Sequence, residues 1–285
     1  MSGLLTDIIP YKQGRTRQKP STFHTMKTRA RKLMIVTSII FSSVILGDQA
    51  ASAALLSVDL GSAASYAVLA GSGITIAGPA NSSTIIGNIG SHATVSITGL
   101  ENLNLVGTNH AGNSITQAAK ADLQTAYTDA AGRSFDGAAF ADGHVLTGIM
   151  TTGVYHGSGS FALNGILTLD AQGDPDAVWI FQMTSTFDVG SAGQVALLNG
   201  AQASNVFWQV GSSATLGTGA RLAGTILAAQ SISMNTGAVI NGRALASAGA
   251  VTMGGSTITL PVPEPSAMLL SVIGICSLLA TRRRS

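Results

Sequence analysis

The sequence predicts a mainly β chain wound as a triangular β-solenoid, with one long α-helix packed alongside. Three observations lead to that class. Segments between residues 213 and 260 repeat with a period near 18. The repeats are short runs of β-branched and small residues, broken by glycine every five or six positions. Only residues 114–131 carry apolar side chains at helical spacing. A fixed period holding three short strands builds a stack of coils, each burying its neighbours, whereas a sandwich carries no such period.

Charge is scarce and unevenly placed. Of the 285 residues 10% are charged, against about 25% in an average globular protein, which excludes a coiled coil or a solvated charged coil. Eight of the 15 Lys and Arg lie in residues 1–32, and three more are Arg282, Arg283 and Arg284. Four cations therefore face ten acidic residues between 54 and 260, a net −6. A weakly acidic body of this kind has no footprint for nucleic acid.

Both ends read as addresses. The basic start is followed by an apolar run, Leu33 to Leu46, then Ala51-Ser52-Ala53 and Ala54. That order is the pattern of a secretory signal peptide, so residues 1–53 are expected to be a leader. At the other end, Val262-Pro263-Glu264-Pro265 precedes an apolar stretch from Ala267 to Ala280 and the three terminal arginines. Residues 261–285 thus resemble the PEP-CTERM sorting signal of Gram-negative bacteria. The resemblance implies transient membrane insertion, cleavage near Pro263, Glu264 and Pro265 by an exosortase-type enzyme, and release to the cell surface or exopolymer matrix. Cys276 is the only cysteine and lies in that tail, so the exported body has neither disulfide nor thiol chemistry.

Residues 54–260 form the body. Ser213–Gly224 aligns with Ser231–Gly242, and Thr218-Gly219-Ala220 falls on Thr236-Gly237-Ala238 at an offset of 18. Ala250–Leu260 is a third copy: Leu222, Ile240 and Ile258 stay 18 apart, although Met234 and Met253 are 19 apart. Upstream, Phe181-Gln182 matches Trp208-Gln209 at 27, one coil plus a nine-residue insertion around Asn199–Ser204. Strand alternation sorts each coil into inward and outward positions. On one face Ala214, Leu216, Ile232, Met234, Val251 and Met253 point in, while Thr215, Ser233 and Thr252 stack outside. On the next, Leu222, Ile240 and Ile258 point in; Arg221 and Ala223, Val239 and Asn241, and Thr257 and Thr259 point out. The third face, carrying Val206–Val210, Thr225–Ala228 and Arg243–Ala246, is apolar on both sides and needs a cover. The helix of Ser114–Ala131, through Ile115, Ala119, Leu123, Ala126, Tyr127 and Ala130, is that cover, with Gly132 ending it. Two flat faces of small residues are left exposed.

Several segments of this body are similar to the ice-binding-protein-like domain of bacteria and fungi. They include Leu60-Gly61-Ser62-Ala63, Ala67–Gly71, Ala126–Arg133, Gly153-Val154-Tyr155 and Leu167–Pro175. Trp179–Gln182, Asn205–Thr218 and Asn241–Ala246 complete the match. The resemblance implies a right-handed, discontinuous solenoid, whose middle coils enter before the first ones close, and adsorption to ice through a flat face. A stacked motif Thr-Ala/Gly-x-Thr/Asn marks strong ice binders of the family. Here it reads Ser191-Ala192-Gly193-Gln194, Thr218-Gly219-Ala220-Arg221 and Thr236-Gly237-Ala238-Val239, so the last position has become Gln, Arg and Val. The candidate ice-binding face is therefore Thr218, Arg221, Ala223, Thr236, Val239, Asn241, Thr257 and Thr259, and the alternative face is Thr215, Ser233 and Thr252. A structural or adhesive role in the exopolysaccharide matrix is the other reading.

Other constellations fit structure better than chemistry. Asp170, Asp174 and Asp176 are close together, but Asp174-Pro175-Asp176 is turn chemistry. His92, His110, His144 and His156 lack metal-ligand spacing and read as loop residues. No nucleophile elbow or phosphate loop occurs. The expectation is a monomer with no cofactor, no metal and no enzymatic activity.

Overall fold

The computed structural model describes residues 55–135 and 137–261. The leader and the sorting segment, with Pro263, Glu264, Pro265, Arg282, Arg283 and Arg284, lie outside the described residues.

Mainly β structure is found, in parallel sheets with one long helix. The repeats become coils because each strand pairs with the strand one period away. Phe181 lies beside Trp208, Thr215 beside Ser233, and Ile240 beside Ile258, as the offsets of 27 and 18 require. Stacked strands form three faces. One eight-strand face runs Leu103–Val106, Ser83–Ile86, Thr257–Thr259, Val239–Ala246, Arg221–Ala228, Gln194–Leu198, Ile166–Asp170, Gly148–Met150. A second eight-strand face runs Ile97–Thr98, Ile74–Ala77, Val251–Gly254, Ile232–Met234, Ala214–Leu216, Phe187–Val189, Phe161–Leu163, His144–Val145. The third contains Tyr66–Ala70, Val206–Val210, Trp179–Met183 and the second halves of the two eight-residue strands. Those two strands turn the corner at Gly224 and Gly242, both at positive φ; a side chain on Gly242 would strike the Gly224 carbonyl.

The stacking order is not the chain order. Strands from the start of the body pair with the C-terminal ones: Val68 with Ala244, Thr75 with Thr252, and Thr84 with Thr257. The middle of the chain supplies the far end of the stack.

Between the faces lies a core of buried Leu, Ile, Val, Phe, Trp and Met. Trp208 is stacked between Phe181 and Phe187, with ring centroids 4.3 and 4.7 Å away, and its indole N–H donates to the Ala223 carbonyl at 3.0 Å. The aromatic body is thereby buried and its one polar atom satisfied.

Helix α1, Ser114–Gly132, covers the third face. Asn113 caps it, its side chain accepting from the Thr116 N–H at 3.1 Å. Ala119, Leu123, Ala126 and Ala130 are buried against Leu69, Ile180, Phe207, Leu227 and Leu245. Gln182 closes the other end from the sheet: its amide donates to the carbonyls of Ala130, Ala131 and Arg133 at 2.8, 3.3 and 2.7 Å.

Three expectations need correction. Ile115 is 52% exposed; Thr116 points in instead, its hydroxyl 3.1 Å from the Tyr66 hydroxyl. A polar partner on the first strand thus sets the helix phase at that turn. The helix also includes Gly132. His144 and His156 are strand residues, stacked face to face on Phe140 and Phe135 at 4.3 and 4.4 Å; their rings pack as apolar slabs, which no spacing rule foresees.

Candidate functional site

Parallel in-register strands place outward side chains in columns, about 4.8 Å apart between strands and about 6.6 Å apart along a strand. With one face under α1, two faces can present such a grid. They differ in chemistry.

The face bearing the motif residues has two outward columns. The first reads Asn104, Thr84, Thr257, Val239, Arg221, Gln194, Ile166. The second reads Val106, Ile86, Thr259, Asn241, Ala223, then Ala196, Thr168, Ile149. Alternation therefore places Arg221, Val239, Asn241, Thr257 and Thr259 outward together, as the repeats suggest. Ala223 shares their register yet is only 5% exposed and belongs to the buried core cluster. Thr218 and Thr236 are exposed but sit in the turn before the strand, at the corner between the two faces. Their series stops there, since the next corner, Gly254-Gly255-Ser256, has one residue fewer than Asn235–Ala238. The 19-residue interval between Met234 and Met253 arises one corner earlier, where Ser247–Ala250 has one residue more than Ala229–Ser231, and the shorter corner after Met253 restores the interval of 18 at Ile258.

Large apolar side chains stand in solvent on this face: Ile86, Val106, Ile149 and Ile166 are 42, 57, 67 and 59% exposed. Small residues alone do not describe it. Clustered exposed apolar groups on a rigid sheet mark a contact surface rather than scattered surface hydrophobes. Arg221 is the one charged residue in either column.

The other free face has one outward position per strand. Its column reads Thr98, Thr75, Thr252, Ser233, Thr215, Asp188, Ala162, Val145. Five hydroxyls stand in line, with Asp188 ending the row. Beside them Ser213 and Ser231 accept from the Ser231 and Ala250 N–H groups at 3.2 Å, which ties those hydroxyls to the backbone.

Several grid residues lie beyond the repeats that sequence reasoning aligned: Thr84, Ile86, Asn104 and Val106 on the first face, Thr75 and Thr98 on the second. A signal for two of them exists. Ser83-Thr84-Ile85 repeats Ser256-Thr257-Ile258, and Ile74-Thr75-Ile76 matches Val251-Thr252-Met253 in pattern. The acidic cluster is turn chemistry: Asp170 and Asp174 each accept from an N–H two residues on, at 2.8 and 2.9 Å.

Comparison with known proteins bears on what such grids do. A family model described as ice-binding-like matches residues 68–259. The chain is 39% identical to an ice-binding protein of Nostoc sp. strain HG1, over 89% of this chain and 96% of that one. It is 33% identical to an ice-binding protein of Colwellia sp., over 84% and 97%. Among solved structures, an ice-binding protein from an Antarctic biological consortium superposes with a TM-score of 0.69 at 41% identity, covering 73% of this chain and 93% of that one. The ice-binding protein of Antarctomyces psychrotrophicus gives 0.68 at 37% identity, covering 74% and 100%.

Proposed function

The chain belongs to the ice-binding-like family, and on that premise we propose that it is an exported, non-enzymatic protein that adsorbs to ice through the face carrying Thr257, Thr259, Val239 and Asn241. One observation carries the choice of face: two in-register columns of hydroxyl, amide and exposed apolar side chains run across eight parallel strands with a single charge among them.

Ice offers a ligand no charge and no pocket, only a repeating array of water. A surface that meets it must be flat and already ordered, so that little conformational entropy is lost when many weak contacts form at once. Hydroxyl and amide groups can continue the hydrogen-bond pattern of the water layer. Apolar groups between them leave neighbouring waters to bond with one another rather than with the protein. Strongly hydrated Lys and Glu would disrupt that layer, and their scarcity in the body fits the role. Thr218 and Thr236 border the grid at its corner, and Ala223 lies buried within its second column.

The reading extends to processing. Residues 1–53 act as a leader, residues 261–285 as a PEP-CTERM-type signal cut by an exosortase, and the body of 54–260 works as a monomer outside the cell. A right-handed winding goes with it, supported by the handedness of nearly all parallel strand crossovers. A matrix role on exopolysaccharide is not favoured by these relatives.

The test is ice shaping and inhibition of recrystallisation by the purified chain. Wild type is expected to be active, Thr257→Tyr inactive because the ring lifts the surface off the lattice, and Ser233→Tyr unaffected. The five-hydroxyl column favours the opposite face as the second reading; activity lost in Ser233→Tyr but kept in Thr257→Tyr would select it.

A further inference from the structure

We propose that Arg221 and Gln194 divide the ice-contacting face into two plates and confine ice to the one formed by strands 103–106, 83–86, 257–259 and 239–241. This rests on the ice-binding reading above and adds a limit to the extent of contact.

The first column changes character midway. From Asn104 through Thr84 and Thr257 to Val239 it is uncharged, and the last three are half-buried, close to the sheet surface. Arg221 and Gln194 follow as neighbours on adjacent strands, both exposed. Beyond them the apolar groups resume with Ile166 and, in the second column, Ile149. Among the described residues the ion pair found is Arg133 with Asp129, so Arg221 has no carboxylate to hold it down.

Two physical consequences follow. A guanidinium carries five N–H donors in a fixed fork, and these keep their own water unless a matching acceptor array is present. An ice lattice imposes its own oxygen positions, so the guanidinium sits as a hydrated island in the contact. The surface is also uneven at this point: on one strand Arg221 is exposed while Ala223 is buried, whereas Thr84, Thr257 and Val239 before it are half-buried. A rigid crystal face cannot follow such unevenness, whereas a flexible ligand could. Ice docked on the four-strand plate therefore stands clear of strands 166–170 and 148–150 beyond the divider, and their exposed isoleucines stay wet.

The proposal makes the two plates energetically independent in wild type and coupled once the divider is removed. The experiment uses the purified chain, scored by the concentration that halts ice recrystallisation and by affinity for single-crystal ice hemispheres. Folding of each variant is checked by thermal melting. Thr257→Tyr should raise the halting concentration by about tenfold or more, and Ile166→Tyr by less than about twofold. Arg221→Thr with Gln194→Thr should lower it by about threefold or more, and in that background Ile166→Tyr should abolish the gain. An equal loss from Ile166→Tyr and Thr257→Tyr in the wild-type background would overturn the division. So would a divider-free variant that is no more active and still indifferent to Ile166→Tyr. If active wild type ignores Thr257→Tyr as well, the face itself is misassigned and both ideas fall; if wild type leaves ice untouched, the functional reading fails first.

Discussion

Leu123 is the side chain on which docking of α1 depends most directly. It is fully buried in the cluster formed by the helix and the third face, among Leu69, Phe207, Leu227 and Leu245. Leu123→Ala removes a buried isobutyl group and leaves a cavity that two rigid layers cannot fill, at about 3 kcal/mol. For a domain of this size that lowers Tm by about 6–12 °C. Leu123→Asp adds a second cost. The cluster is apolar, and the Lys120 amine on the same helix already donates to the Ala246 and Ser247 carbonyls, so the introduced carboxyl takes up a proton, which at pH 7 costs about 4 kcal/mol from an unfolded value of about 3.9. The sum is about 7 kcal/mol, comparable with the whole stability of a typical domain. The pH dependence has a definite sign. Burial raises the folded-state pKa of that carboxyl, so the extra penalty is absent below about pH 3.9 and grows as pH rises above it. Melting curves at pH 4 and pH 7 for wild type, Leu123→Ala, Leu123→Asn and Leu123→Asp provide the assay. The Asp variant should be far worse at pH 7 than at pH 4 relative to wild type, and the Asn variant equally impaired at both. An Asp variant melting within about two degrees of wild type at pH 7 would refute the docking geometry.

Two further predictions concern the polar seams of that interface. The Lys120 amine donates to the carbonyls of Ala246 and Ser247 at 2.6 and 2.5 Å, and burial lowers its pKa to about 8. A folded pKa below the unfolded one means stability is gained as pH rises from about 8 towards 10.5. Wild type should therefore gain stability over Lys120→Met between about pH 7.5 and 10, and a constant difference would mean that the amine is solvated. Gln182→Ala should strip three carbonyls at the helix C-terminus of their donor, at about 1–3 kcal/mol. Hydrogen exchange in the last turn of α1 should accelerate while the strand core stays protected; unchanged protection there would show that solvent serves as the cap.

How far the molecule can be read from its sequence depends on where its periodicity is kept. Residues 213–260 hold an interval of 18 broken by a single residue, so coil register, inward and outward assignment and the presence of a cover over the third face all follow from them. Alternation succeeds for Thr215, Val239 and Asn241 because each strand is pinned between parallel neighbours on both sides, which forbids a slip. It is a weaker guide at Ala223, which falls at an outward position yet is buried with the core. Ile115 shows a similar limit at the first turn of the helix: its phase is set by Tyr66 meeting Thr116, a contact between residues 50 apart. Residues 66–106 carry no clean 18-residue interval, so Thr75, Thr84 and Ile86 cannot be aligned by period alone. Their place beside the C-terminal coils is a topological fact that the family resemblance implies and local pattern does not.

That topology bears on the proposed activity. The four-strand plate draws two strands from the beginning of the body and two from its end, with Thr84 meeting Thr257 across 173 residues of chain. A flat grid over that seam cannot exist in a partly folded intermediate, because it needs both ends of the body in register. Closing so long a loop is slow and entropically costly, and the return must come from burial. Ile85, Ile258 and Ile240, the inward neighbours of the plate residues, are fully buried beneath it. The same strands thus supply the closure energy on one side and the water-ordering array on the other. The helix fits this logic: by covering the third face it holds Tyr66–Ala70 against Val239–Ala246, the strand that links the closing seam to the plate. A substitution that loosens the helix should therefore blunt the ice face without touching it, and Leu123→Ala should lose recrystallisation inhibition on heating before the strand core melts. Activity that persists up to the global melting temperature would show that the seam holds without its cover.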